Sequence, residues 1–320
     1  MPDSDFSVDG FEQMFMYELR DVYGQGMPCF TPLRVLGSTV SYDFGVYSNY
    51  WKMNIQGRDV DSHLLRTLMP VQRRAVLPNK YTSVFIGYRA PYKATTSRAK
   101  DPAVYEWWKE QGHRGYFRWD LDPEVDPAFA SLQEALKSAK IPGLATYAAP
   151  AFSEMDEADQ AAAAGGVLQR THFQSPGEIS DQEYYSYVGA GTHGRVYPDA
   201  INHDPAAFLS EIMTLQSRDE VEPFAAHLAD IWKTVLKVLG RDKEVYDNTQ
   251  DLKAARTILG GSADLTADPL SLLTEAQTDF PFFEKSAAGG LTLETFAAVV
   301  FAVSRIAREK FGCRWLVFYN

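Results

Sequence analysis

The chain has 320 residues, 45% of them hydrophobic and 23% charged, enough to bury one large core or two ordinary ones. Its net charge of −11 and pI near 5.1 exclude a protein that coats nucleic acid over its whole surface, but allow a single basic face. No apolar run reaches the roughly 18 residues of a membrane helix, and the polar, acidic start lacks the basic and apolar regions of a signal peptide, so a cytoplasmic protein without membrane contact is expected.

Residues 5–23 carry Phe11, Phe15, Leu19 and Val22 at helical spacing, and Gly24 and Gly26 end the run. Val40-Ser-Tyr-Asp-Phe-Gly-Val-Tyr47 alternates as a strand with Asp43 at its middle. Residues 48–80 are a long excursion with a short helical pattern over Ser62–Val71. A second strand comes next in Thr82-Ser-Val-Phe-Ile-Gly-Tyr-Arg89, then a short helix over Pro102–Gln111 carrying Trp107 and Trp108. Gly115–Leu121 reads as a strand, Pro127–Lys140 as an amphipathic helix, Gly143–Ala149 as a strand and Glu154–Ala164 as a helix. Strand-like pieces lie around Phe173 and over Tyr184–Val188, and Gly189-Ala-Gly-Thr-His-Gly194 reads as a hairpin loop. After His203 the pattern turns helical: 206–215, 222–239, 251–259, 269–276 and 292–311, with a last strand over 313–319.

The expected architecture is α/β or α+β: a small mixed sheet of roughly five strands flanked by helices over 1–200, and a mostly helical region over 201–320. The last strand can return to the first sheet and make one domain of the whole.

Residues 52–118 hold thirteen Lys and Arg against five acids, with nine aromatics from Tyr81 to Phe117 threaded between them. Arg58, Arg73, Arg74, Lys80, Arg98 and Lys100, with Trp107 and Trp108 as stacking rings, are the candidate nucleic-acid contacts. The plain alternative is a face that neutralises the acidic rest of the chain. Adjacent tryptophans on one helix point in different directions, so one is expected in the core and the other at the surface.

Carboxylates on neighbouring elements beside a basic residue suit metal-dependent phosphodiester cleavage. Glu18 on the first helix, Asp43 on the first strand, and Arg89 and Lys93 on or after the second are the candidate catalytic set. Asp43 is the candidate ligand, for Mg²⁺. Against this stand a structural Asp43 and a solvated Glu18. The six histidines show no zinc spacing, and Cys29 and Cys313 read as reduced thiols.

The order of these elements, with Tyr116-Phe-Arg-Trp-Asp-Leu121, Leu132-Gln133-Glu134, Thr146-Tyr-Ala-Ala-Pro-Ala-Phe152 and Gln174-Ser-Pro-Gly-Glu-Ile179, resembles a group of uncharacterised bacterial proteins over residues 10–200. Their first half is similar to the restriction-endonuclease-like fold of the PD-(D/E)xK type. The resemblance implies a Gln-x-Lys on the second strand, where this chain has Gly87-Tyr-Arg89; Gln56-Gly57-Arg58 is another Gln-x-Arg. Glycine offers no side-chain ligand, and arginine keeps its proton. With that departure, the resemblance implies a nuclease-like protein with a degenerate site, a scaffold on nucleic acid or protein partners in genome defence. The alternatives are an active Mg²⁺-dependent nuclease, and a pure interaction subunit, homo-oligomeric or binding a basic partner through its acidic C-terminal half.

Overall fold

The structure, a computed structural model, describes residues 5–23, 29–30, 52–55, 58–61, 80–96, 101–218, 224–240, 303–304 and 306–319. In chain order the strands are β1 (Cys29–Phe30), β2 (Lys52–Ile55), β3 (Arg58–Asp61), β4 (Tyr81–Tyr88), β5 (Tyr92–Ala94), β6 (Tyr116–Asp120), β7 (Gly143–Pro150), β8 (Thr171–Gln174), β9 (Tyr184–Tyr187), β10 (Gly194–Tyr197), β11 (Asn202–His203) and β12 (Arg314–Tyr319). The helices are α1 (Val8–Tyr23), α2 (Pro102–Glu110), α3 (Val125–Ser138), α4 (Met155–Ala163), α5 (Phe208–Gln216) and α6 (Phe224–Val238).

The architecture is mixed α/β, with two five-stranded sheets flanked by helices. The first sheet runs β1-β12-β4-β7-β8; among its described strands only β4 and β7 pair in parallel, with α3 in the connection between them. The second runs β11-β10-β9-β6-β5 and is antiparallel throughout. β2 and β3 form a separate hairpin within the excursion over 48–80. The sequence pattern predicts one sheet of about five strands; the tyrosine-rich strands β9 and β10 instead join β5 and β6 in a sheet of their own.

β4 is buried at every position, the pattern of a strand covered on both faces. On one face Val84, Ile86 and Tyr88 meet Phe11, Phe15 and Leu19 of α1, with the rings of Phe11 and Phe15 edge-on to Tyr88 at 5.9 and 5.4 Å. On the other, Phe85 stacks on Trp315 of β12 at 6.3 Å. That face also holds Tyr147, Phe129 and Leu132, the α6 residues Leu228, Ile231 and Trp232, and Phe117, Trp119, Tyr185 and Tyr187 from the second sheet. Residues from both sides of position 200 thus share one core, and β12 lies beside β4 with Trp315 opposite Phe85.

The sheets are joined by polar groups as well as rings. His172 on β8 lies within 2.9 Å of the Tyr185 hydroxyl on β9, which donates to Gln174 Oε1 at 2.6 Å, and Gln174 Nε2 donates to Glu178 at 2.6 Å. The Tyr185 hydroxyl reaches this position over Gly194, where a Cβ would stand 1.9 Å from it, so only glycine fits. Asp43 and the helical patterns over 62–71, 251–259 and 269–276 lie outside the described residues. Of the helix read over 292–311, residues 303–304 and 306–310 are helical.

Candidate functional site

The C-terminal end of β4 carries the position where a nuclease of the resembled type would hold its Gln-x-Lys. The pleat turns residue 87 toward the core, where a Cβ would come 2.9 Å from Tyr147 Cδ1 and 3.1 Å from Phe129 Cε1. Aromatic carbon therefore fills the space a metal-binding side chain would need. Arg89 donates to Asp126, which is fully buried, and its guanidinium lies 4.8 Å from the centre of the Tyr147 ring. The Tyr147 hydroxyl donates to Asp126 Oδ1 at 2.7 Å, and the Asp122 amide to Asp126 Oδ2 at 2.7 Å. Burial first, and Asp126 second, push the Tyr147 phenol far up, so it remains a donor. Arg89 is thus one corner of a structural triad with Asp126 and Tyr147, its Nε screened and without a hydrogen-bond partner among the described residues, and Asp126 is the partner that sequence reading missed.

The other candidates are held elsewhere. Glu18 is a buried tether, not a solvated helix residue: Oε2 accepts from the Val167 amide at 2.6 Å and Oε1 from Leu168 at 3.2 Å. Lys93 pairs with Glu157 at 3.5 Å and lies 5.7 Å from the Phe117 ring centre. Glu18, Arg89 and Lys93 thus each serve a different partner rather than one another. Among the described residues no group of three His, Cys, Asp or Glu could hold a metal ion. Asp43, Arg73, Arg74, Arg98 and Lys100 lie outside the described residues; Arg58 opens β3 opposite Ile55, and Lys80 is half-buried before β4.

The two tryptophans divide as their adjacency predicts. Trp108 is fully buried and donates through Nε1 to Ser186 Oγ at 3.0 Å, which withdraws it from stacking on a ligand. Trp107 is half-buried, with the Arg195 guanidinium 4.2 Å from its ring centre. Lys109 on α2, Arg114 between α2 and β6, and His193 are exposed, and His193 stacks on Trp108 at 6.0 Å.

Arg195 belongs to an arginine and tyrosine face that no single sequence motif announced. On the outer side of the second sheet the Arg118 guanidinium lies 3.4 Å from the Tyr184 ring centre and 5.6 Å from that of Tyr92. Asp120 holds Arg118 through two bonds of 2.9 and 2.7 Å. The Tyr184 hydroxyl donates at 2.5 Å to Asp101, which caps α2 by accepting from the Ala103 amide at 3.1 Å. Tyr184 and Tyr197 stack at 4.7 Å. The only sequence trace is alternation, Tyr116-x-Arg118 on β6 and Arg195-x-Tyr197 on β10, which places each pair on one face. The rings and guanidinium groups suit stacking and hydrogen bonding, while the carboxylates are held by fixed partners.

A cavity of about 500 Å³ opens where β7 begins, lined by Gln133, Lys137, Ser175, Glu178, Asp204 and Glu211 among others. Three carboxylates against one lysine make it repel phosphate. Among the described residues no helix is long and apolar enough to cross a membrane. Comparison with protein-family models, with curated proteins and with solved structures finds no match to this chain.

Proposed function

We propose that this chain is a nuclease-like protein that binds nucleic acid without cutting it, through the face around Trp107 and Arg195. One observation carries the reading: the ring of Tyr147 fills the space beside Gly87, and Arg89 is paired with Asp126, which Tyr147 also holds. The positive charge at the end of β4 is neutralised, and no ligand can stand two residues before it. A restriction-endonuclease-like core is proposed for the first sheet, supported by the parallel β4–β7 pair with α3 in its connection. The genome-defence setting rests on the family resemblance alone, and the cytoplasmic setting is proposed from the lack of a long apolar run in the sequence. Mg²⁺ belongs only to the cutting alternative, at Asp43.

The test is a pair of assays on the whole protein. Plasmid and single-stranded DNA with Mg²⁺ or Mn²⁺ should stay intact, while gel mobility should shift more strongly as salt falls. Trp107→Ala should weaken the shift by about fivefold to a hundredfold, the range for losing one base–aromatic stack. Cleavage abolished by Asp43→Ala would overturn the reading in favour of the nuclease. The absence of a shift at any salt would favour the protein-partner class.

A further inference from the structure

The outer face of the second sheet gathers screened polar groups that lack partners. The hydroxyls of Tyr92, Tyr116 and Tyr197 are screened from water and meet no partner in hydrogen-bond geometry among the described residues, and Arg195 Nε is screened in the same way. Tyr116 is only 1% exposed, so its phenol is an interior group. Leaving such donors without an acceptor is costly and uncommon in folded proteins.

Strand register gathers them. Tyr92 lies opposite Arg118 and Ala94 opposite Tyr116; Arg118 lies opposite Ser186, and Ser186 opposite Arg195. The electrostatic neighbours of the Tyr116 phenol are Tyr92, Arg118, Asp101 and Tyr197. Burial raises the Tyr92 phenol to about 12 and the Tyr116 phenol further, so both remain protonated donors.

The carboxylate and amide acceptors nearby already serve other donors. Asp101 serves the α2 amides and Tyr184, Asp120 serves Arg118, and the Asn202 side chain accepts from Arg195 Nη1 at 2.8 Å. Charge is balanced as well, two arginines (Arg118 and Arg195) against two aspartates (Asp101 and Asp120), with Arg118 paired to Asp120, which disfavours a phosphate as the occupant. What the face can take is a neutral group carrying acceptor oxygens. It offers aromatic rings for such a group to lie on, and its rim at Tyr92, Asp101, Trp107, Arg195 and Tyr197 is half-exposed.

We propose that this face receives an unpaired nucleobase, stacked at the rim and read through its carbonyl oxygens by the Tyr92 and Tyr116 hydroxyls and Arg195. This rests on the nucleic-acid reading above and specifies what that surface recognises. A base extruded from a strand is planar, neutral and rich in carbonyl acceptors, while its phosphates stay outside near Lys109 and Arg114.

The experiment compares a thymine oligonucleotide, an abasic strand of equal length and a duplex, each titrated against wild type and Tyr116→Phe. Wild type should bind the thymine strand about tenfold or more tighter than the abasic strand or the duplex. Tyr116→Phe should erase most of that preference and leave abasic-strand binding unchanged. Its melting temperature should not fall, because the hydroxyl removed has no protein acceptor among the described residues; Tyr92→Phe provides a second variant with the same expectation. Equal binding of thymine and abasic strands, or an unaltered preference in both variants, overturns the base site while leaving nucleic-acid binding intact. No binding to any strand overturns both.

Discussion

Gly87 shows how one absent side chain bears on a chemical question. The sequence displays the glycine where a ligand is expected but hides the cause, because the ring that fills the space belongs to Tyr147 on the neighbouring strand. The reverse change is therefore informative. Gly87→Gln, which restores the first residue of the resembled Gln-x-Lys and leaves Arg89 in the place of the lysine, should destabilise the fold by about 1–3 kcal/mol through overpacking and should create no cleavage. Urea unfolding with a parallel plasmid assay reads both. A stable, cutting variant would show that Tyr147 can move aside and that position 87 is open to chemistry. Asp126 was equally out of reach of sequence reading. It sits in the first turn of α3 as an ordinary acidic residue, and only the fold brings Arg89 and the Tyr147 hydroxyl to it.

At the scale of elements, periodicity is a good guide where segments are long. Helical spacing over 5–23 and 127–140 and the apolar run over 82–89 correspond to α1, α3 and β4 within a few residues. In the second sheet it finds β6, β9 and the hairpin loop before β10 but not that these strands form a sheet of their own, because strands of two to five residues are too short for alternation to identify a partner. Glu18 marks another limit. On a helix it reads as a solvated charge, yet it ties α1 to the turn after α4 through two amides. Glu18→Ala should cost about 1–3 kcal/mol by stranding those amides, and Glu18→Gln, which keeps one acceptor oxygen, should recover part of it. Equal thermal stability of wild type and Glu18→Ala would mean that the tether contributes nothing.

Across the whole molecule the two sheets are sealed by His172, which is buried between them and stacked on Tyr187 at 4.5 Å. Burial lowers its pKa from 6.5 to about 4, so the folded ring stays neutral where the unfolded chain takes up a proton. Its contribution is therefore fully present above pH 6.5 and is lost as pH falls toward 4, for a total of about 3 kcal/mol. Urea midpoints measured across that window should decline in wild type and decline less steeply in His172→Gln; identical slopes would remove His172 from the account. The placement of β12 has a consequence of a different kind. Trp315 donates to Ser83 from a position 232 residues further along the chain, and β12 covers the flank of β4. At a synthesis rate of roughly 5–20 residues per second, that flank of β4 waits on the order of ten to fifty seconds for its partner. For that interval the nascent chain presents an open apolar strand edge, so its survival in the cell depends on what shields Tyr81–Tyr88 until translation reaches the strand that closes it.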